Sequence, residues 1–371
     1  MKRDRMSSRE RFHATFEYGT PDRAFLFPDW CFNDTILRWR REGLPPSQHF
    51  NAFFGFDRMA TIPLNPGYTE DLDAVWPRPA TRVVDRSLEW HVVENELGGR
   101  YRAWLDREIG MSQWIDFPVR DRESWERFKK WLDPDQPSRY PEYWDDLVRC
   151  YRGRDYPLGI TAGSFYGWLR DWVGMENLAL WYYDCPDLVH EIVEYTADFV
   201  IRWTARALTD VPDIDFASIW EDMCMKTGPL ISPELYRAFH VEPMKRVIRA
   251  FRDAGIRIIT LDSDGMVDSL IPIWMDAGID VIYPIERASG CDPVRYRTQY
   301  GKKLRMYGGI DKRVLRDGMP KSAIEKEVGE KAELIRQGGY TPQIDHVIPP
   351  DIPFENFRYY VDLVQEACRF G

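Results

Sequence analysis

The side chains best placed for chemistry are Asp262 and Asp264, which close the run Ile256–Gly265 (IRIITLDSDG). Ile256, Ile258, Ile259, Thr260 and Leu261 are apolar or β-branched, and Gly255 and Gly265 flank the segment. That pattern predicts a short strand buried on both faces. Two carboxylates just beyond such a strand stand where parallel α/β folds keep their reactive groups. An Asp-x-Asp is also simple turn chemistry, because aspartate bonds its own backbone. Other strand-like runs end in acids too: Asp29, Glu221 with Asp222, Glu286, Asp311, and Asp345 with His346. Each alone reads as a loop carboxylate or a helix cap, and Asp311 and Asp292 are well spaced for caps. Their recurrence predicts a shared acidic mouth, and crowded carboxylates need a cation, a proton or a donor-rich ligand among them.

In that mouth Glu221, Asp222 and Asp29 are the candidates for handling protons. Glu286, Asp311 and Asp345 are candidate substrate contacts, and Trp30, Phe165, Trp168 and Trp220 are candidate walls. His346, next to Asp345 and before Pro349-Pro350, is either held by neighbouring carboxylates or serves as a ligand or acid/base group. His13, His91, His190, His240 and His49 read as structural. Cys224 reads as a turn or core thiol. The sequence contains no phosphate loop, nucleophile elbow or dinucleotide fingerprint.

The elements that must position these groups alternate along the chain. Strands are predicted at Ala24–Pro28, Phe56–Pro63, Leu158–Thr161, Ile214–Ile219, Ile256–Leu261, Val281–Pro284, Leu304–Tyr307 and Tyr340–Ile344. Helices are predicted over Ser8–Tyr18, Glu123–Leu132, Tyr143–Arg152 and a long stretch to about Leu208, broken near Cys185-Pro186. Further helices are expected after Ser232, which serves as N-cap, and over Val267–Asp276, Pro293–Gln299, Ser322–Gln337 and Glu355–Cys368. Eight such strand–helix units predict an α/β fold, a (β/α)8 TIM barrel with an N-terminal helical extension. A small β-meander at about 80–106 is inserted, and residues 1–371 read as a single domain.

Composition narrows the functional classes. With 44% hydrophobic and 30% charged residues there is material for one large core and a polar surface. A net charge of −10 argues against nucleic acid or an anionic membrane as general partner. Aromatics make up 14%, which suits either aromatic-lined clefts or ordinary core packing. The six cysteines include no CxxC pair, so a reducing compartment is expected over a disulfide framework. The N-terminal MKRDRMSSRERF has no apolar core and no apolar run of membrane-spanning length occurs, which predicts a cytoplasmic protein. A homodimer is compatible with the sequence.

SSRERFHATFEYGTPDR, GPLISPELYRAFHVEPMKRVIRAF, DSDGMVDSLIPIWMDAGIDVIYPIE, YGGIDKRVL and IPPDIPFENFRYYVDLV, in that order, resemble the uroporphyrinogen decarboxylase-like superfamily. The resemblance implies a (β/α)8 barrel and two activities, tetrapyrrole decarboxylation and corrinoid-dependent methyl transfer. True uroporphyrinogen decarboxylases carry an Arg-rich RQAGRY-type clamp for substrate carboxylates after the first strand, where this chain has FPDWCFNDTILRW. The methyltransferase branch binds zinc through His-x-Cys-Gly after a middle strand and a cysteine after the last strand. On this chain those positions align with Asp262-Ser263-Asp264-Gly265 and His346. The resemblance thus implies a divalent metal held by Asp262, Asp264 and His346, with Glu221 as a possible fourth ligand. An oxygen-rich set of this kind suits Zn²⁺, Mn²⁺ or Fe²⁺. The expected reaction moves a methyl group between a small O-, N- or S-methylated substrate and a corrinoid supplied in trans by a partner protein. Decarboxylation of another acid is the alternative, with Arg23, Arg305 or Lys312 holding its carboxylate. A third reading is a non-catalytic corrinoid- or tetrapyrrole-binding protein.

Overall fold

Seven short parallel strands line up in the order in which the chain makes them, with an antiparallel meander set between the first and second. A computed structural model describes residues 5–27, 30–68, 79–105 and 113–369. The strands are β1 (Ala60–Thr61), the meander β2 (Thr81–Arg86), β3 (Trp90–Asn95), β4 (Arg100–Trp104) and β5 (Gln113–Asp116), then β6 (Leu158–Thr161) and β7 (Phe216–Trp220). A hairpin of β8 (Cys224–Met225) and β9 (Gly228–Pro229) follows, then β10 (Ile259–Asp262), β11 (Val281–Tyr283), β12 (Arg305–Tyr307) and β13 (Tyr340–Thr341). The curled sheet runs β1-β6-β7-β10-β11-β12-β13, with helices between its strands, a TIM-barrel-like α/β fold.

The eighth expected strand, Ala24–Pro28, is not one within its described part. Ala24–Phe27 keeps a strand's alternation: Phe25 and Phe27 join the inner cluster, Ala24 and Leu26 the outer core. Ala24 N–H bonds the Cys368 carbonyl, and the next two amides are taken by side chains rather than by a parallel neighbour. Phe25 N–H donates to Thr15 Oγ1 (3.0 Å) and Leu26 N–H to Asp57 Oδ2 (2.8 Å). The ring is drawn together higher up by single parallel bridges, Cys31 to Ile348 and Ile310 to Ile344. The meander has four strands and runs to Asp116, longer than the segment read from sequence.

Helix boundaries follow local chemistry. The long helical stretch breaks at Cys185, with helices Met175–Asp184 and Pro186–Asp210 on either side. Ser232 caps Pro233–Asp253 by accepting from Leu235 N–H. The single helix expected over Ser322–Gln337 is two, Lys321–Gly329 and Ala332–Arg336, the first ending on its glycine. Among the described residues no helix is long and apolar enough to cross a membrane. All six cysteines are free thiols.

The N-terminal helix Ser8–Phe16 plugs the bottom of the sheet. Its Phe12 and Phe16 pack with Phe25, Phe27, Phe216, Ile258 and Val281. Asp57 anchors this plug. It receives Arg11 Nη1 and Arg23 Nη1, both at 2.6 Å, and Ser8 Oγ at 3.0 Å, besides the Leu26 amide. Arg11 and Asp57 side chains are only 2% and 1% exposed. A second anchor is Asp215, which meets His13 Nε2 at 2.6 Å, Arg9 at 2.7 Å and Arg154 at 3.0 Å.

Removing the Asp57 carboxylate takes a buried ion-pair partner from both Arg11 and Arg23, so Asp57→Ala is expected to lose roughly 3–5 kcal/mol in chemical denaturation. The His13–Asp215 contact makes docking of the plug pH-dependent. The bond from Asp215 raises the His13 pKa above 6.5. Burial pushes Asp215 up, but His13, Arg9, the Leu158 amide and Arg154 outweigh it and bring the carboxyl down to about 2. The His13 contribution is therefore full below pH 6.5 and lost as pH rises through the folded value. The Asp215 contribution is present above about pH 4 and falls away toward pH 2. The Tm advantage of the wild type over His13→Gln is expected to be largest in mildly acidic buffer and to shrink on the alkaline side.

Candidate functional site

Parallel pairing puts Trp220, Asp262 and Tyr283 level with one another: Asp262 is opposite Trp220 on β7 and Tyr283 on β11. Side chains two apart on a strand share a face. Ile258, Thr260 and Asp262 therefore point to the barrel axis, while Ile259 and Leu261 pack outward against helices. Tyr307 stacks between Phe27 (4.0 Å) and Tyr283 (4.1 Å), and the Tyr283 hydroxyl lies 3.0 Å from Ser218 Oγ. Ser218, Trp220, Asp262, Tyr283 and Tyr307 all stay partly accessible although their outward neighbours are buried. They define the interior of a pocket.

Asp262 is the unusual member. Among the described residues no hydrogen-bond donor or cation meets its carboxyl group. Burial first, then the nearby Asp264 and Asp222 charges, raise its pKa well above the usual carboxylate range. Only a donor or a cation brought from outside would hold it ionised.

Above it, at the mouth, Asp264, Glu286 and His346 each bring one ligand-type atom to within 4.8 Å of the others. His346 Nε2 lies 2.8 Å from Asp264 Oδ2, and that carboxylate raises the imidazole pKa. Glu286 accepts from Gly265 N–H (2.9 Å) and Ser289 Oγ (3.1 Å), which ties the loop after β11 to the turn after β10. That turn is fixed by Gly265, whose φ is +82° and whose Cβ, if present, would sit 2.6 Å from the Cys224 carbonyl. Two carboxylates and an imidazole at this spacing fit a divalent cation of the harder kind. Relative to the set Asp262, Asp264 and His346, Glu286 stands in the group where Asp262 does not.

The remaining candidates separate into rim, scaffold and core. Asp222, at φ +36°, pairs with Arg170 Nη1 (2.8 Å), and Arg170 lies over the Trp220 ring. Glu221 is wholly buried and accepts the amides of Phe165 (3.0 Å) and Tyr166 (2.7 Å). Burial pushes it up to about 7 against those amides, the Gly167 amide and the Tyr236 hydroxyl. It shapes a loop and is not part of the mouth group. Phe165 and Trp168 do not wall the pocket: both are buried in the outer core, Trp168 against Trp172, Phe199 and Trp203. Asp345 is buried and accepts from the Arg287 amide, and burial raises it to about 6. Asp311 caps the turn Lys312–Leu315 and chelates Arg313. Trp30 stands 71% exposed at the rim. Asp29 lies outside the described residues. Burial pushes the Cys224 thiol up to about 12, which removes it as a nucleophile.

Residues 115–367, more than half of the chain, match the family described as Uroporphyrinogen decarboxylase (URO-D). The chain belongs to the URO-D family. Within it, a uroporphyrinogen decarboxylase of Thermus thermophilus is 31% identical over 142 residues, 37% of this chain and 38% of that protein. A methylated-thiol–coenzyme M methyltransferase of Methanosarcina mazei is 27% identical over 195 residues, 52% of this chain and 49% of that protein. The chain thus spans half or less of the curated relatives it matches. A solved structure titled methyltransferase from Methanosarcina mazei superimposes with a TM-score of 0.61 at 13% identity, covering 97% of this chain and 99% of the other. That likeness is one of fold. These URO-D relatives are enzymes, with decarboxylase and methyltransferase names both present.

Tyr283, Tyr307 and Ser218 are pocket residues that sequence reading did not single out. Their signal was register: each sits on the inward face of its strand, Tyr283 and Tyr307 at the last position. For Glu221, the Gln variant keeps shape but turns an NH₂ toward amide donors. Glu221→Gln is expected to cost roughly 1–3 kcal/mol of stability, read as a lower Tm, with the mouth group intact.

Proposed function

We propose that this protein moves a methyl group between a small methylated substrate and the corrinoid of a separate protein, with a divalent metal held by Asp264, Glu286 and His346. The observation that carries the reading is the convergence of those three donors over a pocket that, among the described residues, has no arginine clamp for an acid. Of the cations a decarboxylase would need, two are engaged elsewhere and Lys312 stands beside the mouth, where its charge opposes that of a protonated His346. Arg23 is bound to Asp57 at 2.6 Å and Arg305 to Asp280 at 3.1 Å, while Lys312 lies 3.9 Å from buried Asp345. The methyltransferase name of the Methanosarcina relative supports the same choice.

When bound, a divalent ion supplies Lewis-acid polarisation of the methyl-bearing heteroatom. The chain's own residues do the rest. Gly265 N–H and Ser289 hold Glu286 in place for the ion, and the loop after β13 brings His346 to Asp264. Trp220, Tyr283 and Tyr307 line the interior, and the Arg170–Asp222 pair braces Trp220 from outside. Asp262 is left facing the substrate.

Metal analysis of protein equilibrated with Zn²⁺, Mn²⁺ or Fe²⁺ is expected to find roughly one ion per chain. Glu286→Ala and His346→Ala should fall to background, and Asp262→Asn should retain the ion. A wild-type protein that stays metal-free, or equal loss in Asp262→Asn, sinks the assignment.

A further inference from the structure

The mouth group leaves one charge-bearing side chain of the pocket unexplained. Asp57, Glu221, Asp345 and Glu286 each have donors from the fold. Asp222 has Arg170. Asp262 has none among the described residues, and its neighbours Asp264 and Asp222 are acids. Its level on the barrel wall is shared with two aromatic residues, Trp220 and Tyr283, through the strand register. Tyr307 stacks on Tyr283 at 4.1 Å. A carboxylate beside aromatic residues is a seat for an ammonium group: the acid offers the counter-charge, while Trp220 and Tyr283, each with one face covered by Arg170 and Tyr307, offer at most the other. It is a poor seat for an acid, which would meet Asp262, Asp264 and Glu286, while the cations beside them, Arg170 and Lys312, face Asp222 and Asp345.

We propose that the substrate carries a cationic amine beside its methylated oxygen or sulfur, with the amine seated against Asp262 on the pocket floor and the methylated heteroatom reaching the Asp264–Glu286–His346 group. This deepens the methyl-transfer reading and rests on it for the second half. Asp262 and Asp264 are two residues apart on an extended chain, so their backbones are roughly 6–7 Å apart. The two ends of the substrate are therefore separated by only a few bonds. A quaternary ammonium that itself bears the transferred methyl is excluded by this arrangement, since it has no lone pair for a Lewis acid.

Three probes of one shape separate the charge requirement: 2-(methylthio)ethylamine, 2-(methylthio)ethanol and (methylthio)acetate, which are cationic, neutral and anionic. Their binding to the full chain is read by calorimetry or by tryptophan fluorescence. The amine is expected to bind at least about tenfold more tightly than the alcohol, the scale of a partly desolvated cation–π or ion-pair contact, and the acid most weakly. In Asp262→Asn the amine and alcohol should come within about threefold, with metal content unchanged as the check that the fold and mouth are intact. Alcohol or acid binding as tightly as the amine to wild type overturns the inference, and so does a preference that survives Asp262→Asn. Methyl transfer is scored separately with reduced cobalamin as acceptor. Preference for the amine without transfer overturns the methyl-transfer reading alone, whereas transfer from the alcohol without amine preference overturns the inference alone.

Discussion

The contact between His346 and Asp264 is the constraint on which the site depends. It joins the turn after the fourth strand of the curled sheet to the loop after the seventh, 82 residues apart in sequence. Neither partner could reach the other without its own support. On one side, Gly265 must adopt a left-handed conformation because the Cys224–Pro229 hairpin lies against it, and Met266 N–H then bonds the Met225 carbonyl at 2.9 Å. On the other, Ile310 and Ile344 bridge in parallel, carrying the chain upward beyond β13 to His346. Glu286 is bonded to the same glycine's amide, so three separate loops share one geometry.

The acids of this chain divide according to whether the fold gives them donors. Asp57 and Asp215 neutralise arginines at the bottom, where the N-terminal helix is fastened. Glu221 collects backbone amides and sets the loop before helix Gly167–Val173. Asp345 does the same for the turns at Arg287 and Lys312, under the mouth. All of these are scaffolding, and removing one partner from such a buried set is costly. Asp264 and Glu286 also have donors, His346 and the Gly265 amide, but converge with His346 at the mouth, and Asp262 is left facing the pocket with none among the described residues.

Much of this was legible in the sequence. Apolar runs punctuated by glycine marked most of the strands, and of the acids after them Asp264 and Glu286 come together with His346. Asp264 and His346, singled out by type and position, do meet. The misreadings have physical causes. Ala24–Phe27 has the composition of a strand, but its Phe25 and Leu26 amides go to Thr15 and Asp57, and no local pattern announces side-chain acceptors 10 and 31 residues away. Glu221 follows a strand as Asp262 does, yet the amides of Phe165 and Tyr166 claim it, which depends on how a distant loop folds back. Phe165 and Trp168 share the aromatic character of Trp220 but sit on the helix side of the barrel wall. Glu286 was visible as an acid, but its place beside Asp264 depends on the path through Ile285, a non-glycine residue at φ +61°.

The phenylalanine plug has a consequence for traffic. Phe12, Phe16, Phe25 and Phe27 fill the lower end, so among the described residues the shaft is closed from below. A small molecule on the floor would have to come and go by the upper rim, and under the proposed reaction it would do so before a carrier protein covered that rim. On the proposed reaction the order would follow from this closure: the small reactant first, the large carrier second.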